Sequence, residues 1–152
     1  MILTAGTVMC LAVSALELQQ VLPTGPCTDV AGNGKLAVAI GGGNLFTIDV
    51  SDPGKVRILG RLDGLGDTRQ VALRGNLALV ASRIDGLFIV NIENPAEPQL
   101  LSHYDTLEKA TGIAVSGNLA YVANRFFGVE AIDISDPAKP QFISSFLEKH
   151  EV

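Results

Sequence analysis

Three segments of the chain repeat one another at an interval of about 42 residues. The tetrapeptide Gly-Asn-Leu-Ala occurs at 75–78 and again at 117–120, and the related Gly-Lys-Leu-Ala precedes both at 34–37. A second marker, an apolar strand that runs into a proline turn, keeps the same interval, with prolines at positions 53, 95 and 137. Because two independent markers keep one spacing, the sequence predicts three copies of a single supersecondary unit.

Each copy divides into four short strands that are separated by turn residues. In the middle copy the strands are expected at 71–73, 77–82, 87–92 and 99–104, with Gly, Asn and Pro between them. Helical periodicity is absent, and the strands are apolar on both faces, so each sheet needs a neighbour on each side. This pattern favours a β-propeller over helical repeats or leucine-rich solenoids. We predict an all-β fold with four-stranded antiparallel blades at 30–62, 69–104 and 111–146.

The third strand of each copy carries a recognisable signature. It reads Leu-Phe-Ile-Val-Asn-Ile at 87–92, and the equivalent Ile-Asp-Val and Ile-Asp-Ile at 48–50 and 132–134 each precede a Ser-Asp-Pro turn. The chain resembles the LVIVD-repeat family in these segments, over about residues 30–147. The resemblance implies a β-propeller, usually on secreted or cell-surface proteins of bacteria and archaea, and it transfers no catalytic residues. Closed propellers have about 4–8 blades, so three repeats plus a remnant are expected to form an incomplete ring.

The chain divides into an apolar N-terminal segment, 1–29, and the propeller blades, 30–152. Residues 16–22 are interpreted as a remnant of an earlier blade, whereas 1–15 remain open between a blade remnant and a signal-like segment. Val13-Ser14-Ala15 resembles a signal-peptidase site, yet the first basic residue is Lys35. We expect a secreted or cell-surface protein, or a cytoplasmic one if the N-terminal segment is a blade remnant of an unexported chain.

The composition of the chain limits the kinds of partner that it is expected to bind. The net charge is −5, so a nucleic-acid-binding surface is not expected, and no apolar stretch is long enough for a membrane span. Hydrophobic residues make up 47% of the chain and charged residues only 18%, which suits a segment that packs against further protein. We expect self-association, or missing blades that close the ring, through apolar blade flanks. The residues chosen to illustrate these flanks are Leu45, Ile48 and Val50 near one end and Ile132 and Ile134 near the other.

The sequence predicts no catalytic residue, no cofactor and no metal ligand. Asp49, Asn91 and Asp133 recur at the ends of the third strands, where they are interpreted as side chains that cap turn N–H groups rather than as calcium ligands. The histidines, His103 and His150, are interpreted as ordinary packed or surface residues. No cysteine spacing typical of a metal or redox site occurs.

The connections between strands fall on two opposite faces, and only one of these faces varies between copies. The varied connections include Gly41-Gly42-Gly43, which is one residue shorter than its counterparts. Variable loops on a rigid scaffold commonly carry function. The candidate interaction residues of this face are Arg83, Asp85, Arg125, Phe126 and Phe127.

This face predicts a non-catalytic binding or interaction module for a protein or acidic ligand. Arg83 and Arg125 occupy equivalent positions in neighbouring copies, and adjacent guanidinium groups repel unless an anion bridges them. In a purely structural interpretation, Arg83 forms an ion pair with Asp85, and the Phe127 side chain fills the rim of its blade. Two further functions stay open: a hydrolase or lyase with a site at the channel mouth, and a structural segment that completes a larger propeller.

Overall fold

The computed structural model describes residues 22–147, which form twelve strands in three four-stranded sheets. The first sheet contains β1 (Asp29–Asn33), β2 (Leu36–Gly41), β3 (Asn44–Asp49) and β4 (Arg57–Leu62). The second contains β5 (Thr68–Arg74), β6 (Leu77–Ser82), β7 (Gly86–Asn91) and β8 (Gln99–Tyr104). The third contains β9 (Ala110–Ser116), β10 (Leu119–Asn124), β11 (Gly128–Asp133) and β12 (Gln141–Phe146).

Each sheet is an antiparallel meander in which the strands pair in sequence order. The predicted fold class is therefore confirmed, and we call the sheets blades 1, 2 and 3. Each blade begins one residue before its predicted start and ends at the predicted residue. No stretch of residues 22–147 forms a helix that could cross a membrane.

The core lies between the blades rather than within one sheet. Successive side chains of a strand point to opposite faces, so Phe88 and Val90 of β7 pack against blade 1, whereas Leu87 and Ile89 pack against blade 3. Both clusters are buried, which explains why the strands are apolar on both faces.

Three of the five residues chosen to illustrate the blade flanks lie instead between two blades. Leu45 lies between blades 1 and 2, and both Ile132 and Ile134 lie between blades 2 and 3. Ile48 does face away from blade 2, but it is buried in a cluster that includes Leu22 and Val50. The alternation within a strand separates its two faces but does not tell which face meets a neighbour, and for this reason the sequence misassigned these side chains.

The hairpin between β2 and β3 is shorter than its counterparts, as predicted. Gly42 and Gly43 form a two-residue connection with φ angles of 58° and 79°. A two-residue turn with positive φ at both central positions is type I′, which matches the twist of the flanking strands and favours glycine. The equivalent connections in blades 2 and 3 have three residues, 83–85 and 125–127.

The turns that follow the third strands are capped as predicted. Side-chain oxygens of Asp49, Asn91 and Asp133 accept hydrogen bonds from the backbone N–H two residues later, at 3.0, 2.9 and 2.8 Å. The hydrogen bonds from Ser51 and Ser135 hold the pKa values of Asp49 and Asp133 below their usual range. These acids therefore stabilise the turns.

Adjacent blades are joined by polar contacts that recur at equivalent positions. On the inner strands, Asp29 accepts a hydrogen bond from the Val71 N–H at 2.9 Å, and Gln70 accepts one from the Ile113 N–H at 2.8 Å. The equivalent residue of blade 3 is Gly112, which has no side chain to act as an acceptor.

A second recurring contact joins the outer part of one blade to the proline turn of the next. Thr47 of blade 1 donates to the carbonyl of Pro95, and Ser102 of blade 2 donates to the carbonyl of Pro137 at 2.6 Å. The hydroxyl belongs to the third strand in blade 1 and to the fourth strand in blade 2, yet in both cases the acceptor is the carbonyl of the equivalent proline in the next blade. The contact is therefore a property of the blade interface rather than of one residue position.

Candidate binding site on the variable loop face

Backbone hydrogen bonds define the two faces of the blades. Leu65 donates to the Gly43 carbonyl, Arg83 donates to the Asp67 carbonyl and Arg125 donates to the Lys109 carbonyl, at 2.8, 2.8 and 3.1 Å. These bonds place the connections 42–43, 83–85 and 125–127 beside the inter-blade linkers, and we call this surface the variable face. The capped turns and the first hairpin of each blade share the opposite surface, the turn face, where Ile92 and Ile134 donate to the Asn76 and Asn118 carbonyls.

Arg83 and Arg125 line one surface cavity of about 420 Å³ on the variable face. Arg69 and Thr111 complete its lining, so three arginines from blades 2 and 3 border one space. Arg69 forms a salt bridge with Asp67 at 2.8 Å, while its buried Nε has no hydrogen-bond partner. Among residues 22–147, neither Arg83 nor Arg125 forms a salt bridge. The cavity therefore concentrates positive charge that the described residues only partly neutralise.

Asp85 does not pair with Arg83, which excludes that part of the purely structural interpretation. Its carboxylate instead accepts a hydrogen bond from the Ser82 hydroxyl at 3.0 Å, and its carbonyl contacts Nε2 of His103. His103 also stacks on Phe88, with ring centroids 4.6 Å apart, so it packs as predicted. Asp85 thus contributes to the structure of its own loop and does not neutralise Arg83.

The two phenylalanines beside Arg125 are exposed on the surface. Phe126 is 66% exposed and Phe127 is 48% exposed, so the Phe127 side chain is not buried at the rim of its blade. The Arg125 guanidinium lies 5.0 Å from the centre of the Phe126 ring, within the range of a cation–π interaction. The loop therefore presents a cation next to apolar surface.

Three residues of this surface were missed in the sequence. Arg69 and Thr111 lie on the inner strands at equivalent positions, and exposed Ile84 is the counterpart of Phe126 in the preceding blade. The 42-residue spacing could have identified them, because each lies one repeat from another residue of the surface. His150 lies outside the described residues.

A buried carboxylate fixes the position of the loop that carries Arg125. Glu130 is fully buried between blades 2 and 3 and accepts three hydrogen bonds: from the Tyr104 hydroxyl at 2.8 Å, from the Asn124 amide at 2.8 Å and from the Leu107 N–H at 3.1 Å. Burial, together with the hydrogen bond to Glu130, raises the pKa of Tyr104, so its hydroxyl stays protonated as a donor. Asn124 directly precedes Arg125, and the network therefore ties the loop to the linker and to blade 2.

No group of His, Cys, Asp and Glu side chains suited to a metal ion occurs within residues 22–147. Cys27 is exposed, and Cys10 lies outside the described residues.

The family comparison matches the three blades one by one. A family model described as LVIVD repeat matches residues 25–63, 65–106 and 108–148. The chain belongs to the LVIVD-repeat family. Its matched segments follow the blade boundaries, so one LVIVD repeat corresponds to one four-stranded blade. No curated protein matches the chain.

Solved structures with a similar fold confirm the propeller architecture. The computationally designed Ika4 protein is 16% identical, with a TM-score of 0.66 over 81% of this chain and 73% of its own. Sqt1 of Saccharomyces cerevisiae is 12% identical, with a TM-score of 0.68 over 82% of this chain. The designed Ika8 protein is 16% identical, with a TM-score of 0.65 over 79% of this chain. This LVIVD-repeat chain spans 36% of the length of Ika8 and of Sqt1, and the likeness concerns the fold alone.

Proposed function

We propose that this LVIVD-repeat chain is a non-catalytic binding module whose variable face takes an acidic peptide segment of a partner protein. The observation that carries the proposal is the cavity lined by Arg69, Arg83 and Arg125. A guanidinium group offers a planar fork of donors that matches a carboxylate, and several such groups around one space favour an anionic ligand.

The setting of the cavity supports this choice of ligand. The whole chain carries a net charge of −5, so a cluster of cations on its surface stands out against an acidic background. Such a patch attracts an acidic segment and repels a basic one, which gives selectivity. Exposed Phe126 and Phe127 add apolar contact area beside the cations. The ligand that fits both features is a segment with acidic and apolar residues close together.

The proposal is tested by the fluorescence anisotropy of two labelled peptides, one of alternating Glu and Leu and one of alternating Lys and Leu. We expect the acidic peptide to bind and its affinity to fall as salt is added, because salt screens exposed charges. Arg125→Ala should weaken binding about tenfold, since a hydrogen bond to a charged group contributes about 1.5–3 kcal/mol.

The matched control is Arg57→Ala, which removes the same charge from the turn face, where Arg57 forms an exposed pair with Asp49. It should leave the affinity for the acidic peptide unchanged. Equal binding of the two peptides, or equal losses in the Arg57 and Arg125 variants, would refute the proposal.

We also propose a secreted or cell-surface setting, which the resemblance to LVIVD-repeat proteins supports. Cell fractionation of the native host, with N-terminal sequencing of the recovered protein, tests this proposal. A protein recovered only from the cytoplasm with its N-terminus intact would contradict it.

A further inference from the structure

The turn that follows the third strand of blade 2 differs in charge from its two equivalents. All three turns lie on the turn face and are capped by the same kind of hydrogen bond. In blades 1 and 3 they read Ser-Asp-Pro-Gly-Lys at 51–55 and Ser-Asp-Pro-Ala-Lys at 135–139, with one acid and one base each. In blade 2 the turn reads Glu-Asn-Pro-Ala-Glu at 93–97, with two acids and no base. We call residues 93–97 the acidic turn.

The two glutamate side chains are not needed to hold the acidic turn together. Asn94 makes the cap, because its Oδ1 accepts a hydrogen bond from the Ala96 N–H at 3.2 Å and its carbonyl accepts one from the Glu97 N–H at 3.0 Å. Both Glu93 and Glu97 are exposed, and neither forms a salt bridge within residues 22–147. Their carboxylates can therefore bind cations outside the chain.

The acidic turn has a fixed conformation and lies beside apolar surface. Its Pro95 carbonyl accepts a hydrogen bond from the Thr47 hydroxyl of blade 1, which ties the turn to the neighbouring blade. Glu93 lines a turn-face cavity of about 470 Å³ together with Leu101, which is 36% exposed. A turn that is already ordered loses little conformational entropy when it binds.

One base lines the same cavity without neutralising the acidic turn. The Arg74 guanidinium donates hydrogen bonds to the Ile134 carbonyl at 3.1 Å and to the side-chain oxygen of Asn118. Both acceptors belong to blade 3, so Arg74 joins two blades rather than pairing with Glu93.

We propose that the acidic turn of one copy of this chain binds the arginine-lined cavity on the variable face of a second copy. This inference rests on the proposed function, because it names one partner for the same cavity. The acidic turn presents carboxylates and an apolar side chain close together, and Arg83 and Arg125 present the complementary cations. Guanidinium groups form strong charge-assisted hydrogen bonds with carboxylates, and complementary charge also fixes which surfaces meet.

The contact joins unlike surfaces, which determines the kind of assembly it forms. The turn face and the variable face lie at opposite ends of the strands, so a copy whose cavity is filled still presents its own acidic turn. A heterologous contact of this type can continue from copy to copy. Because the charged groups are exposed, the association should be weak and should decrease as salt is added.

Sedimentation velocity of the 152-residue chain tests the proposal. At low ionic strength the weight-average sedimentation coefficient of the wild type should rise with protein concentration, and added salt should reverse this rise. A neutral-turn variant, Glu93→Gln with Glu97→Gln, should have an association constant about tenfold lower or less, because it loses two hydrogen bonds between charged groups. Both positions are exposed, and circular dichroism should show an unchanged fold.

The matched control removes two negative charges from the other turns of the same face. Asp52→Asn with Asp136→Asn has the same net charge as the neutral-turn variant. Asn can keep these two caps, as Asn94 does in blade 2. The control should therefore associate like the wild type.

A mixture of two non-associating variants tests which surfaces meet. The neutral-turn variant keeps a native cavity, and a cavity variant, Arg83→Ala with Arg125→Ala, keeps a native acidic turn. Each variant alone should stay monomeric, whereas the mixture should form a one-to-one complex through a single native contact.

The Glu–Leu peptide separates this inference from the proposed function. The neutral-turn variant should bind the peptide at least as tightly as the wild type, because its cavity is intact. If the wild type binds the peptide but shows no salt-sensitive association, the self-contact is refuted and the proposed function stands. Equal losses of association in the neutral-turn variant and its control, or no complex in the mixture, would refute the self-contact in the same way. A wild-type chain that does not bind the peptide would refute both.

Discussion

Glu130 occupies in blade 3 the position that Phe88 occupies in blade 2, and both side chains face the preceding blade. Phe88 belongs to an apolar cluster with Leu45 and Leu65, whereas Glu130 accepts hydrogen bonds from Tyr104, Asn124 and Leu107. Leu65 and Leu107 are themselves equivalent, and Leu65 is buried while Leu107 is exposed. Glu130 therefore adds a buried polar network to an interface between blades 2 and 3 that also contains a large apolar cluster.

Removal of the Tyr104 hydroxyl should destabilise the chain. Tyr104→Phe leaves the buried Glu130 carboxylate with two donors instead of three. A hydrogen bond to a charged group contributes roughly 1.5–3 kcal/mol, so the free energy of unfolding should fall by about this amount in urea titrations. Tyr121→Phe is the matched control on β10 of blade 3, and it should change stability by less than about 0.5 kcal/mol. Equal effects of the two variants would contradict the importance of the Glu130 network.

Acid should weaken the capped turns of blades 1 and 3 more than that of blade 2. The folded-state pKa values of Asp49 and Asp133 lie below the ordinary value of 3.8, so their stabilisation is present above that pH and is lost as pH falls below it. Asn91 makes the same cap in blade 2 and does not titrate. Asp133→Asn should therefore reduce the loss of stability between about pH 6 and about pH 2.5.

Urea midpoints at the two pH values measure this effect for the wild type and for Asp133→Asn. At low pH, the urea midpoint of Asp133→Asn should be higher relative to that of the wild type than it is at about pH 6. Parallel decreases in both chains would show that Asp133 makes no pH-dependent contribution to the fold.

The repeat made most of the fold predictable, because its period and turn residues specify a four-stranded unit. The capping roles of Asp49, Asn91 and Asp133 also followed from local chemistry, since an Asx-turn involves residues only two positions apart. The side of the blade on which a residue such as Leu45 lies did not follow, because alternation alone leaves that choice open. Burial of an acidic residue such as Glu130 depends on hydrogen-bond donors from three separate segments, and no local sequence pattern indicates it.

Part of the candidate site was predictable from the repeat as well. Equivalent loops had to lie side by side once the repeat was known, and this placed Arg83 near Arg125. Arg69 reaches the cavity from an inner strand, and its role depends on the packing of blades 2 and 3. Asp85 lies close to Arg83 in sequence, yet it hydrogen-bonds to Ser82, so proximity in sequence was a poor guide to pairing.

Phe126 should contribute to ligand binding without contributing to stability. Its ring is exposed in the free chain, so Phe126→Ala should leave the urea midpoint unchanged. If the acidic peptide covers the ring, the affinity should fall about tenfold, because burial of a large apolar side chain contributes about 1.5–3 kcal/mol. Phe142→Ala removes a ring that is 49% exposed on β12, compared with 66% for Phe126, and should leave the affinity unchanged. A loss of affinity in both variants would indicate non-specific apolar adsorption.

The central claim is that arginines from neighbouring blades act together on one acidic ligand, and a double-mutant cycle measures this directly. Dissociation constants for the Glu–Leu peptide are needed for the wild type, Arg83→Ala, Arg125→Ala and the double variant. Groups that contact one ligand group are coupled, so the loss of binding free energy in the double variant should differ from the sum of the single losses by about 0.5 kcal/mol or more. Additive losses within about 0.3 kcal/mol, or an unchanged affinity in all three variants, would contradict a shared site.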